Sequence, residues 1–104
     1  MADFYQKVFG TKPEWEDGDW TGFQAGHCHV AIGPHDQIKG DSKEPARIML
    51  NLETKNVKGE FARIKKLGAK VIKAPYKMAG MDMDIATLGD PDGNYFQLMS
   101  PFKP

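Results

Sequence analysis

Residues 88–101 read LGDPDGNYFQLMSP, and the fold follows from how this stretch is parsed. Asp90-Pro91-Asp92-Gly93-Asn94 is a turn with a mechanism: Pro91 presets its own φ, Gly93 tolerates a positive φ, and the Asp and Asn side chains can bond nearby backbone. A strand follows over residues 95–99. Successive side chains of a strand point to opposite faces, so Tyr95, Gln97 and Met99 share one face and Phe96 and Leu98 the other. One face can close on a helix, and the other is left for a different use.

Upstream, residues 57–68 carry Val57, Phe61, Ile64 and Leu67 as one helical stripe, with Lys58, Arg63, Lys65 and Lys66 on the wet side. Asn56 is placed to cap this helix and Gly68 to end it. A strand is predicted over 47–53, where Ile48, Leu50 and Leu52 alternate with Met49, Asn51 and Glu53. Residues 70–73 and 85–88 read as further strands. Between them, residues 74–83 form a loop or irregular strand holding Tyr76, Met78, Met81 and Met83.

At the other end of the chain, residues 3–9 read as a short helix with apolar pairs four apart, Phe4 with Val8 and Tyr5 with Phe9. Asp3 is placed to cap it and Gly10 to end it; a helix this short must be held by packing. Residues 12–17 and 20–25 form a hairpin turning at Asp17-Gly18-Asp19, and 26–33, GHCHVAIG, a third strand. Residues 34–45 are polar and read as a linker.

A repeat emerges. Phe9-Gly10 answers Leu67-Gly68, and residues 26–34 answer 93–101 with the same Gly-to-Pro spacing. Each copy runs helix, strand, strand, strand, and the second also has a strand before its helix. The reading is α+β: a single domain over 1–104, with module one at 1–34, a linker at 35–45 and module two at 46–104. A ferredoxin-like domain is the structural alternative, but three strands follow each helix rather than two.

The DPDGN turn leading into an aromatic strand and a terminal Ser-Pro resembles the end of a vicinal-oxygen-chelate domain, the superfamily of glyoxalase I, bleomycin-resistance proteins, extradiol dioxygenases and fosfomycin-resistance enzymes. Residues 3–10, DFYQKVFG, resemble that family's first helix, and residues 57–75 its second helix and following strand. The resemblance implies two tandem βαβββ modules in a curved, mostly antiparallel open sheet with helices on its outer face. It also implies a missing first strand of roughly ten residues, within normal strand length. Met1 then reads as an internal methionine of a longer protein; the alternative is a variant that dispenses with the strand or borrows one from a second chain.

Composition narrows the function classes. Fourteen basic and fourteen acidic residues balance, so no net pull toward nucleic acid or an anionic membrane is expected. Cys28 is the only cysteine, which excludes an internal disulfide and fits a reducing, cytoplasmic setting. No phosphate-binding glycine loop or Ser-His-Asp spacing is present.

The resemblance implies a divalent metal (Zn, Ni, Mn or Fe) in catalytic members, with ligands from the first and last strands of each module. Carried onto this chain, those positions give Gln97 in the last strand of module two and Met49 or Asn51 in its first. The repeat puts Val30 at the equivalent site of module one. Two neutral amides are poor donors for such an ion, so no cofactor is expected. His27 and His29 share one strand face, and that face is the cup or its reverse depending on a one-residue register. With Asn51 and Gln97 they complete the weak metal candidates. His35 reads as an exposed loop residue. Cys28 lacks an assigned base for nucleophilic work, and Glu53 would serve as a base only if desolvated.

Trp15, Trp20, Tyr76, Tyr95, Met78, Met83 and Met99, with Asn51, Glu53 and Gln97, are the candidate ligand-pocket residues, since aromatic and thioether side chains adapt to small molecules. Phe23 and Met81 belong to the same inventory, for which plain core and edge packing is the simpler explanation. Three functions stay open: a metal-free small-molecule-binding module, resistance-like in character; a metal-dependent glyoxalase-like lyase or isomerase, or a dioxygenase; and a non-catalytic dimerising remnant. The resemblance also implies a homodimer, while the balanced charge gives no expectation of a nucleic-acid or membrane partner.

Overall fold

A computed structural model describes residues 1–34, 39–80 and 82–101 of the chain. The chain divides into two compact units, Met1–Gly40 and Asp41–Pro104.

In the first unit, α1 (Ala2–Phe9) is followed by β1 (Trp15–Asp17), β2 (Trp20–Ala25) and β3 (Cys28–Ile32), which form an antiparallel sheet in the order β1-β2-β3. The helix starts one residue earlier than its capping pattern predicts. Met1 occupies the cap position without a side-chain bond, and Asp3 lies inside the first turn, where its charge suits the helix N-terminus instead of capping it. Tyr5 and Val8 are buried. Phe9 meets Phe23 of β2 edge-on at 5.6 Å between ring centroids, so the aromatic pairs predicted for this helix anchor it to the sheet.

In the second unit, β4 (Leu50–Glu53), α2 (Val57–Lys66), β5 (Lys70–Lys77), β6 (Asp84–Gly89) and β7 (Tyr95–Met99) build a sheet in the order β4-β7-β6-β5. Pairing is parallel for β4 with β7 and antiparallel for the rest, with Asn51 opposite Gln97 and Thr87 opposite Gln97. This is one complete βαβββ module. Asn56 caps α2 as predicted, its Oδ1 accepting the Gly59 N–H at 3.0 Å. Val57 and Ile64 of α2, with Phe96, Leu98, Leu88 and Ala86 of the sheet, are buried. Each large side chain among them contributes roughly 1.5–3 kcal/mol when fully buried.

Strand limits in the second unit differ from the sequence reading. The strand predicted from residue 47 begins at Leu50, because the chain is still in a turn: the Arg47 N–H bonds the Glu44 carbonyl at 3.0 Å and the two side chains pair at 2.9 Å. Ile48 therefore leaves the predicted apolar face and stands 84% exposed. The strand predicted to stop at residue 73 continues to Lys77 with two register shifts, so Tyr76 is a strand residue. Residues 35–38 of the linker, with His35, and Met81 fall outside the described residues.

The repeat holds as element order but not as residue spacing. The β2–β3 hairpin turns through Gly26 and His27, whereas five residues join β6 to β7. The equal Gly-to-Pro spacing therefore sets unlike positions opposite one another.

Candidate functional site: two open sheet faces

The turn that organises module two is held by one carboxylate. Asp90, buried, accepts through Oδ1 from the backbone N–H groups of Asp92 and Asn94, both at 2.9 Å. The Asn94 side chain bonds Oδ2 at 3.0 Å. Gly93 turns the chain at φ 79°. These bonds fix where β7 starts and so which of its residues face the helix.

Phe96 and Leu98 are buried on the helix side, which turns Tyr95, Gln97 and Met99 to the open side. Directly paired residues share a face. One row across this face is therefore Asn51, Gln97, Thr87 and Lys73, and the next is Glu53, Met99, Ile85 and Tyr76. Gln97 Nε2 donates to Thr87 Oγ1 at 3.2 Å, which commits one amide N–H and leaves the Gln97 carbonyl oxygen as an acceptor. The Lys73 ammonium sits 4.2 Å from the centroid of the Tyr76 ring, a cation–π contact. Sequence reasoning overlooked Lys73 and Thr87; the register alone brings them beside Gln97. Glu44, Pro45, Ala46, Arg47 and Tyr95 line a shallow cleft at the Tyr95 end.

The parallel register also answers which residue of β4 stands beside Gln97: it is Asn51, and Met49 precedes the strand. Met83 is buried with the core. Met78 is half-buried, and its N–H closes the loop onto the Met83 carbonyl at 2.9 Å. The same loop is tied by Lys77, 3.0 Å from Asp82 and 3.6 Å from Asp84. The Asp82 hydrogen bond, then the two negative charges, hold this ammonium above the usual lysine pKa.

On the first unit's sheet, Val30 pairs with Phe23 and so lies on the α1 side. The repeat-derived equivalence of Val30 with Gln97 fails, because Gln97 faces away from the helix side of its own sheet. His29 pairs with Gln24 and lies on the open side, along with Trp15, Trp20, Gly22 and Ala31. His29 Nδ1 reaches Glu14 Oε1 at 3.3 Å. His27 falls in the two-residue turn, apart from the strand geometry it was expected to share with His29. Cys28 is exposed at the start of β3.

The donor chemistry at Asn51 and Gln97 does not fit a divalent ion. Both are neutral amides, one already bonded to Thr87, whereas such sites are built from carboxylates, imidazoles and thiolates. Among the described residues no three His, Cys, Asp or Glu side chains come together to supplement them.

An α-helix on one side of a β4-β7-β6-β5 sheet, preceded by a second helix and three strands in the same order, defines the vicinal-oxygen-chelate class of α+β proteins. The glyoxalase-like domain family matches residues 1–99, and the chain belongs to that family. Solved structures agree in fold. A glyoxalase/bleomycin resistance protein/dioxygenase family enzyme from Burkholderia phytofirmans PsJN is 25% identical, covered over 96% of this chain and 87% of its own, with a TM-score of 0.76. A hypothetical protein from S. aureus is 23% identical over 96% and 82%, with a TM-score of 0.77. The fosfomycin resistance protein FosX from Listeria monocytogenes is 18% identical over 96% and 80%, with a TM-score of 0.70. No curated protein matches the chain in sequence. Among the described residues no helix is long and apolar enough to cross a membrane.

Proposed function

We propose that this glyoxalase-like chain binds a small organic molecule and uses amide hydrogen bonds where metal-dependent members use a divalent ion. The observation that carries this reading is the Asn51–Gln97 pair, side by side in parallel register on an open face. Two adjacent amides offer donors and acceptors together, which suits a polar, uncharged ligand group and suits a cation poorly. Thr87, itself buried, holds the Gln97 amide in place, while Tyr76, Tyr95 and Met99 give apolar surface on the same face.

The test is elemental analysis of the purified protein, followed by thermal shifts with Ni²⁺, Zn²⁺, Mn²⁺ and Fe²⁺ and with a panel of small organic ligands. Ligands that bind the folded state raise Tm by mass action. The expected result is a shift with organic ligands that Asn51→Ala and Gln97→Ala abolish, and none with the metals. A stoichiometric ion whose removal lowers Tm would overturn this reading and favour a metal-dependent glyoxalase-like lyase.

A further inference from the structure

The open face of the first sheet carries two indole rings laid on glycine. A Cβ built on Gly22 would lie 2.2 Å from Trp15 Cε2 and Nε1, and one on Gly33 would lie 2.2 Å from Trp20 Cδ2. The rings thus occupy the space that side chains would take at those positions. Each tryptophan is nevertheless 44% exposed. Leaving that much aromatic surface in water forgoes burial worth ~25 cal/mol per Å², so these rings are held in place yet uncovered.

The charges around them are mostly negative. Residues 12–20 hold Lys12 against Glu14, Glu16, Asp17 and Asp19, one cation to four carboxylates, in a chain whose total charge is zero. Asp17 is the direct strand partner of Trp20 and shares its face. Glu14 reaches the same face at His29. Lys12 lies by a cleft at the edge of Trp15, with Gln6, Pro13 and Glu16.

We propose that this face is a binding platform for a planar organic cation, stacked on Trp15 and Trp20 with its charge beside Asp17. Indole gives the strongest cation–π attraction of any side chain, and a nearby carboxylate adds to it. Rings already fixed over glycine lose little freedom when a ligand arrives. The inference rests on the small-molecule reading above but uses a different set of residues.

Trp15 and Trp20 are the only tryptophans, so intrinsic fluorescence reports this face directly. The full chain is titrated with 1-methylquinolinium, a planar cation; 2-naphthoate, a planar anion; and tetramethylammonium, a compact cation. The expected result is saturable quenching by the quinolinium, at least about fivefold tighter than either comparison ligand. Asp17→Asn is expected to narrow the gap between quinolinium and naphthoate, and Trp20→Leu to weaken the quinolinium while far-ultraviolet circular dichroism stays unchanged. Quenching that rises linearly without saturation overturns the proposal, as does equal affinity for naphthoate. A concentration-dependent blue shift with dimer formation overturns it too, since a second copy would then cover the face. If organic ligands act through Asn51 and Gln97 while the quinolinium does not bind, this proposal falls and the amide-row reading stands. If a stoichiometric metal is found and the quinolinium still binds, the reverse holds.

Discussion

Asp90 shows how much one side chain can organise. Its carboxylate takes the N–H groups of Asp92 and Asn94 and the Asn94 amide, all within the turn that starts β7. Removing a buried acceptor leaves such donors unsatisfied, at a cost of about 1–3 kcal/mol. Asp90→Ala should therefore lower stability by that amount in urea unfolding with an unchanged m-value, and Asp90→Asn should recover part of the loss. Gly22 is the counterpart on the other sheet. There the side chain is excluded by Trp15, not by backbone conformation, so Gly22→Ala should displace the indole and shift tryptophan emission. The turn was legible because Asp-Pro-Asp-Gly-Asn is local chemistry. The seat of Trp15 was not, because the glycine beneath it lies on a neighbouring strand.

At the scale of elements, the start of α2 was readable in the sequence, whereas the start of α1 and the limits of several strands were not. Asn56 was recognisable as a cap from its position alone. Asn56→Ala should cost ~1 kcal/mol, read as a lower thermal midpoint, with Asn56→Asp close to neutral. The strand expected from residue 47 starts at Leu50, because Glu44 and Arg47 close a turn that competes with extension. The two last strands differ in a way only pairing can give. β7 is bonded on both edges, by β4 and β6, while β3 lies at the end of its sheet order with β2 as its bonded neighbour. Alternate β3 amides should consequently exchange hydrogen much faster than those of β7, by orders of magnitude in native-state exchange. Equal protection of both strands would mean that another strand has joined β3.

For the whole molecule, balanced charge is the governing property. Fourteen cations and fourteen anions give a pI near 6.8, so mutual repulsion between copies is weakest at neutral pH. With Ile48 at 84% exposure and two half-exposed tryptophans, solubility should pass through a minimum near pH 7 and rise on either side, measurable as light scattering across a pH series. Charge balance over the chain also conceals the acidic run around Trp15 and Trp20, because the excess of carboxylates there is offset by lysines elsewhere.

The sequence by itself determined the α+β class, the two helices, the closing hairpin and the family, because each depends on residues close together along the chain. It also determined that Tyr95, Gln97 and Met99 share one face of the last strand and Phe96 and Leu98 the other, since alternation starts from a turn whose position is fixed locally; which of the two meets the helix is read from the burial of Phe96 and Leu98. Tertiary structure alone decided that Asn51 stands beside Gln97, that Thr87 and Lys73 join that row, and that Val30 faces α1 while His29 faces outward. The physical reason is register. A strand's side chains alternate with a period of two, so a single residue of offset exchanges its faces, and that offset is set by partner strands far away in sequence.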